Sequence, residues 1–308
     1  MTTVFIDGAV GTTGLEIRER LAGRTDITLA LLPEDRRKDP AARREALNDA
    51  DFVILCLPDD ASREAVTLID NARTRVIDAS SAHRVAAGWT YGFPELPGRA
   101  EKVATAMRVS NPGCYPTGFL ALVAPLVAAG LIPADLPLSV NATSGYSGGG
   151  KAMIAAFENG EPATAFRAYA LVGLAHKHIA EMTQHAGLTH APIFAPAVAN
   201  TYRGMVVEVP LHLHALPGRP MLAAIEDVLR AAFDGSKLVS VAPGDIGSVD
   251  IEENAGTDRL TLRVCGNDAV GHARLVATLD NLGKGAGGAA VQNLNIMAGV
   301  DPVAGLVF

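Results

Sequence analysis

Basic residues are in short supply in this chain: 26 Lys and Arg stand against 33 Asp and Glu over 308 residues, a formal net charge of −7. That deficit excludes the basic face that nucleic-acid binding or attachment to an anionic membrane surface requires. Cysteine is scarce as well. Three thiols cannot build the disulfide framework of a small secreted domain, and they point to a reducing, cytoplasmic setting. Aromatics make up 5% of the residues, with a single Trp, so the core must be mainly aliphatic. No apolar run reaches the length of a membrane span; the longest, Phe119 to Ala129, is interrupted by Pro125. The opening residues lack the basic start and cleavage site of a secretory leader. No internal repeat or low-complexity tract stands out. What the chain does have is 49% hydrophobic residues and 31 Gly, in a length sufficient for two domains.

The first part alternates short apolar runs with helical patterns. Strands are expected at Thr3 to Ile6, Ile27 to Leu32, Phe52 to Leu57 and Arg75 to Asp78, with helices at Leu15 to Ala22, Ala41 to Asn48 and Ala61 to Asn71. Continuous apolar strands between helices mark a parallel sheet covered on both faces, wound in the right-handed sense. Further on, Leu138 to Thr143, Met205 to Leu213 and Leu260 to Cys265 read as longer strands with Pro-rich connections, and Asp280 to Ala298 as a helix with a Gly-rich start. The fold expected is α/β: a Rossmann-type doubly wound parallel sheet, followed by an α+β domain on a mixed or antiparallel sheet. The dinucleotide-type domain is assigned residues 1–113 plus 281–308, and the second, catalytic and oligomerisation domain residues 114–280.

Between the first strand and the first helix lies Gly8-Ala9-Val10-Gly11-Thr12-Thr13-Gly14, a G-x-x-G-x-x-G loop. Glycines there let the backbone approach a pyrophosphate whose charge rests on the helix N-terminus. Gly8, Gly11 and Gly14 are therefore candidate cofactor contacts, and Thr12 and Thr13 can add hydroxyls. A tight βα turn without ligand is the plain alternative. The choice of dinucleotide is written at the end of the second strand. Glu34 lies 20 residues after Gly14, where an acid binds an unphosphorylated ribose, yet Arg36, Arg37 and Lys38 follow at once. The cationic cluster favours NADP.

Cys114 sits in Ser110-Asn111-Pro112-Gly113-Cys114-Tyr115-Pro116-Thr117-Gly118, just ahead of an apolar helix. Pro116 suits a first helical turn, where a missing N–H costs nothing. A thiol at a helix N-terminus has its pKa lowered from roughly 8.5 by the macrodipole and the free N–H groups. Those groups, with the Asn111 side chain, can hold a developing oxyanion. Cys56 and Cys265 lie inside apolar strands and read as small core residues.

The segment Ser110 to Gly118 resembles the nucleophile region of the N-acetyl-γ-glutamyl-phosphate reductases, relatives of aspartate-semialdehyde dehydrogenase. Further stretches are similar to that family: the Gly8 to Gly14 loop, Ile77 to Arg84 with Trp89-Thr90-Tyr91-Gly92-Phe93-Pro94-Glu95-Leu96, Ser144 to Gly150, and Asp280 to Asn295. The resemblance runs nearly end to end, and the length fits the family's shorter variant. It implies NADPH-dependent reduction of an acyl phosphate through a thioester on Cys114, with N-acetyl-γ-glutamyl phosphate as substrate, in arginine biosynthesis. His176-Lys177-His178 followed by Glu181 is similar to the family's His-Arg-His-x-x-Glu element, with Lys177 in place of Arg. By position His176 is the acid/base and His178 the second choice.

The resemblance also implies that Arg84 takes the substrate phosphate or α-carboxylate, with Lys177, His178 and Arg203 as further substrate contacts. Ser80, Ser144, Gly145 and Asn293 are implied at the cofactor, although a Gly-rich hairpin and a core Asn are the plain alternatives for the last three. His212 and His214 share one side of a strand but lack a nearby third ligand; His185, His190 and His272 stand alone, and no metal site is expected. A homodimer or homotetramer is expected. Two other readings share many of these features: a different phosphorylating aldehyde dehydrogenase, such as one acting on aspartate semialdehyde, and a dinucleotide sensor without turnover.

Overall fold

The computed structural model describes residues 1–159 and 164–308. The chain divides into two compact units. The first comprises Met1–Pro94, Gly98–Pro112 and Ala286–Leu306, and the second Glu95–Pro97, Gly113–Gly285 and Val307–Phe308.

The first unit opens with β1 (Thr2–Asp7), α1 (Thr12–Leu21), β2 (Ile27–Ala30), α2 (Pro40–Asp49), β3 (Phe52–Leu55), α3 (Asp59–Leu68), β4 (Arg75–Asp78), β5 (Thr90–Tyr91), α4 (Ala100–Thr105) and β6 (Arg108–Ser110). Local chemistry sets the boundaries. Asp39 caps α2 by accepting from the Ala41 N–H at 2.9 Å, with Pro40 at the first helical position. The six strands form one sheet in the order β2-β1-β3-β4-β6-β5, and every neighbouring pair is parallel. Successive side chains of β1 and β3 point to opposite faces. Val4, Ile6, Phe52 and Ile54 join Ile17 and Leu21 of α1 in one core, while Phe5, Val53 and Leu55 join Leu47 of α2 and Ala65 of α3 in the other. The sequence pattern anticipated four of these six strands, with ends shifted by up to two residues, and missed the short β5 and β6.

The second unit contains α5 (Cys114–Ala128), β7 (Ser139–Gly145), a short 3-10 turn, α6 (Gly150–Glu158), β8 (Phe166–Ala168), α7 (Ile179–Ala186), β9 (Ile193–Ala199), β10 (Met205–His212), α8 (Leu222–Ala232), β11 (Val239–Val241), β12 (Leu260–Asn267) and β13 (His272–Leu279). Its sheet runs β11-β12-β13-β10-β7-β9-β8 and is mixed: β11 with β12 and β7 with β9 are parallel, and the other pairs antiparallel. The helix expected over Phe119 to Ala129 begins five residues earlier, at Cys114. It is buried along nearly its whole length against β10, β13, α7 and α8. Gly118 allows the close approach, since a Cβ there would lie 2.7 Å from Cγ2 of Val207 on β10. A turn of π-helix (Gly283–Gly287) precedes α9 (Gly288–Ala298), which returns to the first unit and adds Val291 and Leu294 to its core.

Candidate active site and cofactor cavity

In the first unit, β1 ends in the glycine loop. Gly8 adopts φ +91°, and a Cβ there would overlap the carbonyl oxygen of Cys56. A Cβ on Gly14 would press on the Gly8 carbonyl at 2.5 Å. Both positions therefore need glycine for reasons of space, and Gly8 for its backbone angle too. Gly11 precedes α1 in extended conformation without any side-chain cap, leaving the amides of Thr12 and Thr13 at an uncapped helix N-terminus. Beside the loop lies a cavity of about 760 Å³, whose wall includes Gly8, Val10, Leu31, Leu32, Glu34 and Arg37. Uncapped amides, a backbone that only glycine permits and an adjoining cavity lined by both apolar and charged side chains suit a dinucleotide.

The cations nominated for the ribose differ in placement. Arg37 is on the cavity wall but pairs with Glu34 at 2.6 Å. Arg36 is not part of that wall and lies 3.8 Å from Asp39. Lys38 and, from α1, Arg18 also line the cavity. Arg18 escaped the sequence reading, although its spacing of four residues from Gly14 puts it on the same side of the helix.

At the end of β4, buried Asp78 is a hub. Its carboxylate accepts from Ser62 Oγ at 3.1 Å, from Ser80 N–H and Oγ at 2.9 and 2.8 Å, and meets His83 Nδ1 at 2.6 Å. The Ser80 hydroxyl is thus engaged with Asp78. Arg84 is buried and donates Nε to the Asn111 carbonyl at 2.9 Å and Nη2 to the Ala79 carbonyl at 3.2 Å. The Asn111 amide donates to the Ala286 carbonyl at 2.9 Å and accepts from Asn293 at 3.0 Å. Asn293 is fully buried, with its amide donating to the Gly92 carbonyl and to Asn111. It braces the Tyr91-Gly92 turn through its amide nitrogen, and a Cβ on Gly92 would collide with it.

In the second unit, Cys114 is the first residue of α5, after Gly113 in extended conformation (φ −75°, ψ 154°) and without a side-chain cap. The helix dipole therefore points its positive end at the thiol. Glu181, 1% exposed, accepts from the Gly113 N–H at 3.1 Å through Oε2, while its Oε1 lies 3.9 Å from His178 Nε2. His178 caps the start of α7, and its N–H donates to His176 Nδ1 at 3.2 Å. That bond assigns the neutral His176 ring its proton on Nε2. The His176 ring meets Phe194 edge-on at 5.0 Å and His178 at 4.6 Å between centroids.

Two phenols complete these surroundings. Tyr115 donates to the Ala197 carbonyl at 2.9 Å, and Tyr169 donates to the Tyr115 oxygen at 3.2 Å. Burial pushes Tyr115 well above its ordinary value and Tyr169 up to about 12, so both stay protonated donors. Gly285 lies against Cys114, where a Cβ would sit 2.9 Å from Cβ of that residue. The preceding Lys284 is buried and paired with Glu95 at 2.6 Å, and neither residue was nominated from the sequence. Arg203 lies 3.3 Å from buried Asp280, and Lys177 is exposed. Ser144 is buried with its hydroxyl donating to the Gly145 carbonyl at 2.9 Å, and Gly145 packs on the Arg203 backbone.

The other thiols contrast with Cys114. Burial and the Asp78 and Asp7 carboxylates push Cys56 up to about 12, and burial raises Cys265 as well. His272, expected to stand alone, faces His212 across β13 and β10, with ring centroids 5.0 Å apart. Among the described residues no three His, Cys, Asp or Glu side chains are grouped to hold a metal ion. Among the same residues, no helix is long and apolar enough to cross a membrane.

Comparison with known proteins adds a second line. The family model for the semialdehyde dehydrogenase NAD binding domain matches residues 3–106, and that for the semialdehyde dehydrogenase dimerisation domain matches residues 114–281. The chain is 50% identical over 303 residues to N-acetyl-gamma-glutamyl-phosphate reductase 2 of Pseudomonas putida, covering 96% of both proteins. It is 51% identical over 305 residues to N-acetyl-gamma-glutamyl-phosphate reductase of Brucella anthropi, covering 96% of this chain and 98% of that one. Among solved structures, aspartate semialdehyde dehydrogenase II of Vibrio cholerae complexed with ASA matches with TM-score 0.72 at 18% identity, over 97% of this chain and 98% of that one. Aspartate semialdehyde dehydrogenase with NADP from Candida albicans matches with TM-score 0.67 at 13% identity, over 97% and 98%. At such identities the structural likeness speaks for the fold.

Proposed function

The chain belongs to the N-acetyl-γ-glutamyl-phosphate reductase family, and from that premise we propose how its own residues carry the reaction. The protein is an NADP-dependent oxidoreductase of arginine biosynthesis that reduces N-acetyl-γ-glutamyl phosphate to N-acetylglutamate semialdehyde with release of phosphate. The observation that carries the chemical reading is Cys114 at the uncapped start of α5.

A thiolate there is stabilised by the helix N-terminus. Its sulfur attacks the acyl carbon; the C–S bond forms, and the C–O bond breaks as phosphate departs with the bonding pair. The thioester that remains on Cys114 splits one difficult reduction into two easier steps. NADPH, when bound, supplies a hydride to the acyl carbon. His176, with its proton held on Nε2 by the His178 backbone N–H at Nδ1, donates a hydrogen bond to the oxygen as negative charge develops on it and keeps the proton throughout. The C=O bond re-forms as the C–S bond breaks with its electron pair returning to sulfur, which releases the aldehyde and regenerates the Cys114 thiolate. A second reading exchanges the two imidazoles, and the buried Glu181 carboxylate 3.9 Å from His178 Nε2 favours it, because a carboxylate stabilises an imidazolium formed there.

The uncapped start of α1 and the Gly8 and Gly14 turns support binding of the cofactor's phosphates. For assembly we infer a homodimer or homotetramer. Phe166, Leu171, Val172, Leu174 and Ile193 expose apolar surface in the second unit, which is the kind of patch that association covers. A cytoplasmic location fits a biosynthetic reductase whose thiols must stay reduced.

The test is NADPH oxidation coupled to phosphate release with purified protein. N-Acetyl-γ-glutamyl phosphate is expected to be turned over and β-aspartyl phosphate left untouched. Turnover of β-aspartyl phosphate alone would overturn the substrate assignment while leaving the fold and the nucleophile in place.

A further inference from the structure

We propose that Arg18 of α1, with Lys38 from the loop after β2, reads a phosphate monoester on the adenosine ribose and so sets the preference for NADPH over NADH. The inference deepens the cofactor reading given above and rests on it. In an open α/β sheet the adenosine ribose lies beyond the carboxyl end of the second strand. The 760 Å³ cavity occupies that position, walled by Leu31 and Leu32 at the end of β2 and by the glycine loop.

The wall carries three acids, Asp7, Glu34 and Asp35, of which Asp7 is paired with Arg43 at 2.8 Å. Four further cations stand near it, and their partners separate them. Arg36 is off the wall and turned to Asp39. Arg37 is on the wall, but its guanidinium is held by Glu34. That pair does a different job. Glu34 is the acid placed to bind an unesterified ribose diol, and left bare its charge would repel a phosphate there. Arg37 neutralises it. Arg18 and Lys38 remain: both line the cavity, and neither has a carboxylate within ion-pair distance among the described residues. Arg18 is half-buried on the helix face over the cavity. A guanidinium without a counter-ion at a cavity wall is completed by an anionic ligand, and its planar fork matches phosphate oxygens two at a time. On a chain of net charge −7, placement of a few cations has to do what overall charge does not.

The experiment is calorimetric titration of the full chain with adenosine 2′,5′-bisphosphate and with 5′-AMP, which differ only in the 2′-phosphate. The wild type should bind the bisphosphate at least about tenfold more tightly, the size of one charge-assisted contact. Arg18→Met should weaken bisphosphate binding by about tenfold or more and change 5′-AMP binding by no more than about twofold, with Lys38→Met showing a smaller loss of the same kind. Arg18→Lys should recover part of the affinity. Retained 5′-AMP binding shows that the variants are folded. The inference is overturned if Arg18→Met and Lys38→Met both leave bisphosphate affinity unchanged, or if Arg18→Met weakens both nucleotides equally. A wild type that fails to distinguish the two nucleotides overturns it together with the NADP preference. Discrimination that persists in a protein inactive on N-acetyl-γ-glutamyl phosphate upholds it while sinking the substrate assignment.

Discussion

The three thiols show how much a residue's chemistry depends on what surrounds it. Cys56 and Cys265 sit in or beside strands, and burial holds both thiols above their ordinary range, with the Asp78 and Asp7 carboxylates adding to the effect at Cys56. Cys114 opens a helix instead. This contrast was legible in the sequence, because an apolar strand and an Asn-Pro-Gly-Cys-Tyr-Pro turn are local patterns. Asn293 and Ser80 were not legible in the same way. Nothing near Asn293 in the chain announces that its amide will brace Gly92 and Asn111, some two hundred residues away. Ser80 was expected at the cofactor from the resemblance, and its engagement with Asp78 depends on a carboxylate buried at the end of β4. The histidine pair is decided at this scale too. His176→Asn should lower kcat by about 10²-fold or more, the usual size of a lost acid/base contribution, and His178→Asn by clearly less. The reverse order, measured as kcat under saturating substrate, assigns the proton to His178 and Glu181.

Among elements, α5 and the π-helical turn Gly283–Gly287 matter most. The helix starts at Cys114, and its apolar length is held against β10 and β13. The sequence pattern showed an apolar helix over Phe119 to Ala129 and suited Pro116 to a first turn, but it did not fix where between Cys114 and Phe119 the helix starts. In the structure Pro116 occupies the first turn, where its absent N–H is no loss, and Gly118 lets the helix close on Val207. Strand β9 was missed because Pro196 interrupts its apolar run; it nonetheless pairs in parallel with β7 throughout, Pro196 lying opposite Ala142. The turn before α9 was expected to be Gly-rich, but the need for glycine at one position appears only from the packing. A methyl group on Gly285 would lie 2.9 Å from Cβ of Cys114 and 3.0 Å from the Asp280 carbonyl. Gly285→Ala should therefore displace the nucleophile, lowering kcat by about tenfold or more. Its melting temperature should fall by only a few degrees, an effect on the order of 1 kcal/mol. Wild-type turnover in that variant would show that the contact is slack.

At the scale of the whole molecule, the chain leaves the first unit after Pro112, builds the second, and comes back at Ala286. Alternating strands and helices made the first unit readable, because each βα repeat carries its own periodicity. The second was readable only in outline. Of its seven strands, three were expected, since short or Pro-containing strands gain their identity from neighbours far away in sequence. The exposed apolar group of Phe166, Leu171, Val172, Leu174 and Ile193 belongs to this scale. Light scattering on the purified protein should give the mass of two or four chains, and replacing Leu171 and Val172 with Asp should shift it toward one. A wild-type mass of a single chain would contradict the assembly proposed here.

The account stands or falls on covalent capture at Cys114. Protein mixed with N-acetyl-γ-glutamyl phosphate in the absence of reduced cofactor, quenched in acid and analysed by peptide mass spectrometry, reports it directly. The expected result is an increment of one N-acetylglutamyl group on the peptide carrying Cys114, lost on adding NADPH and absent in Cys114→Ser, whose turnover falls by on the order of 10⁴. An enzyme that reduces the substrate with no acyl group on Cys114, or whose Cys114→Ser variant keeps near-normal rates, contradicts the mechanism.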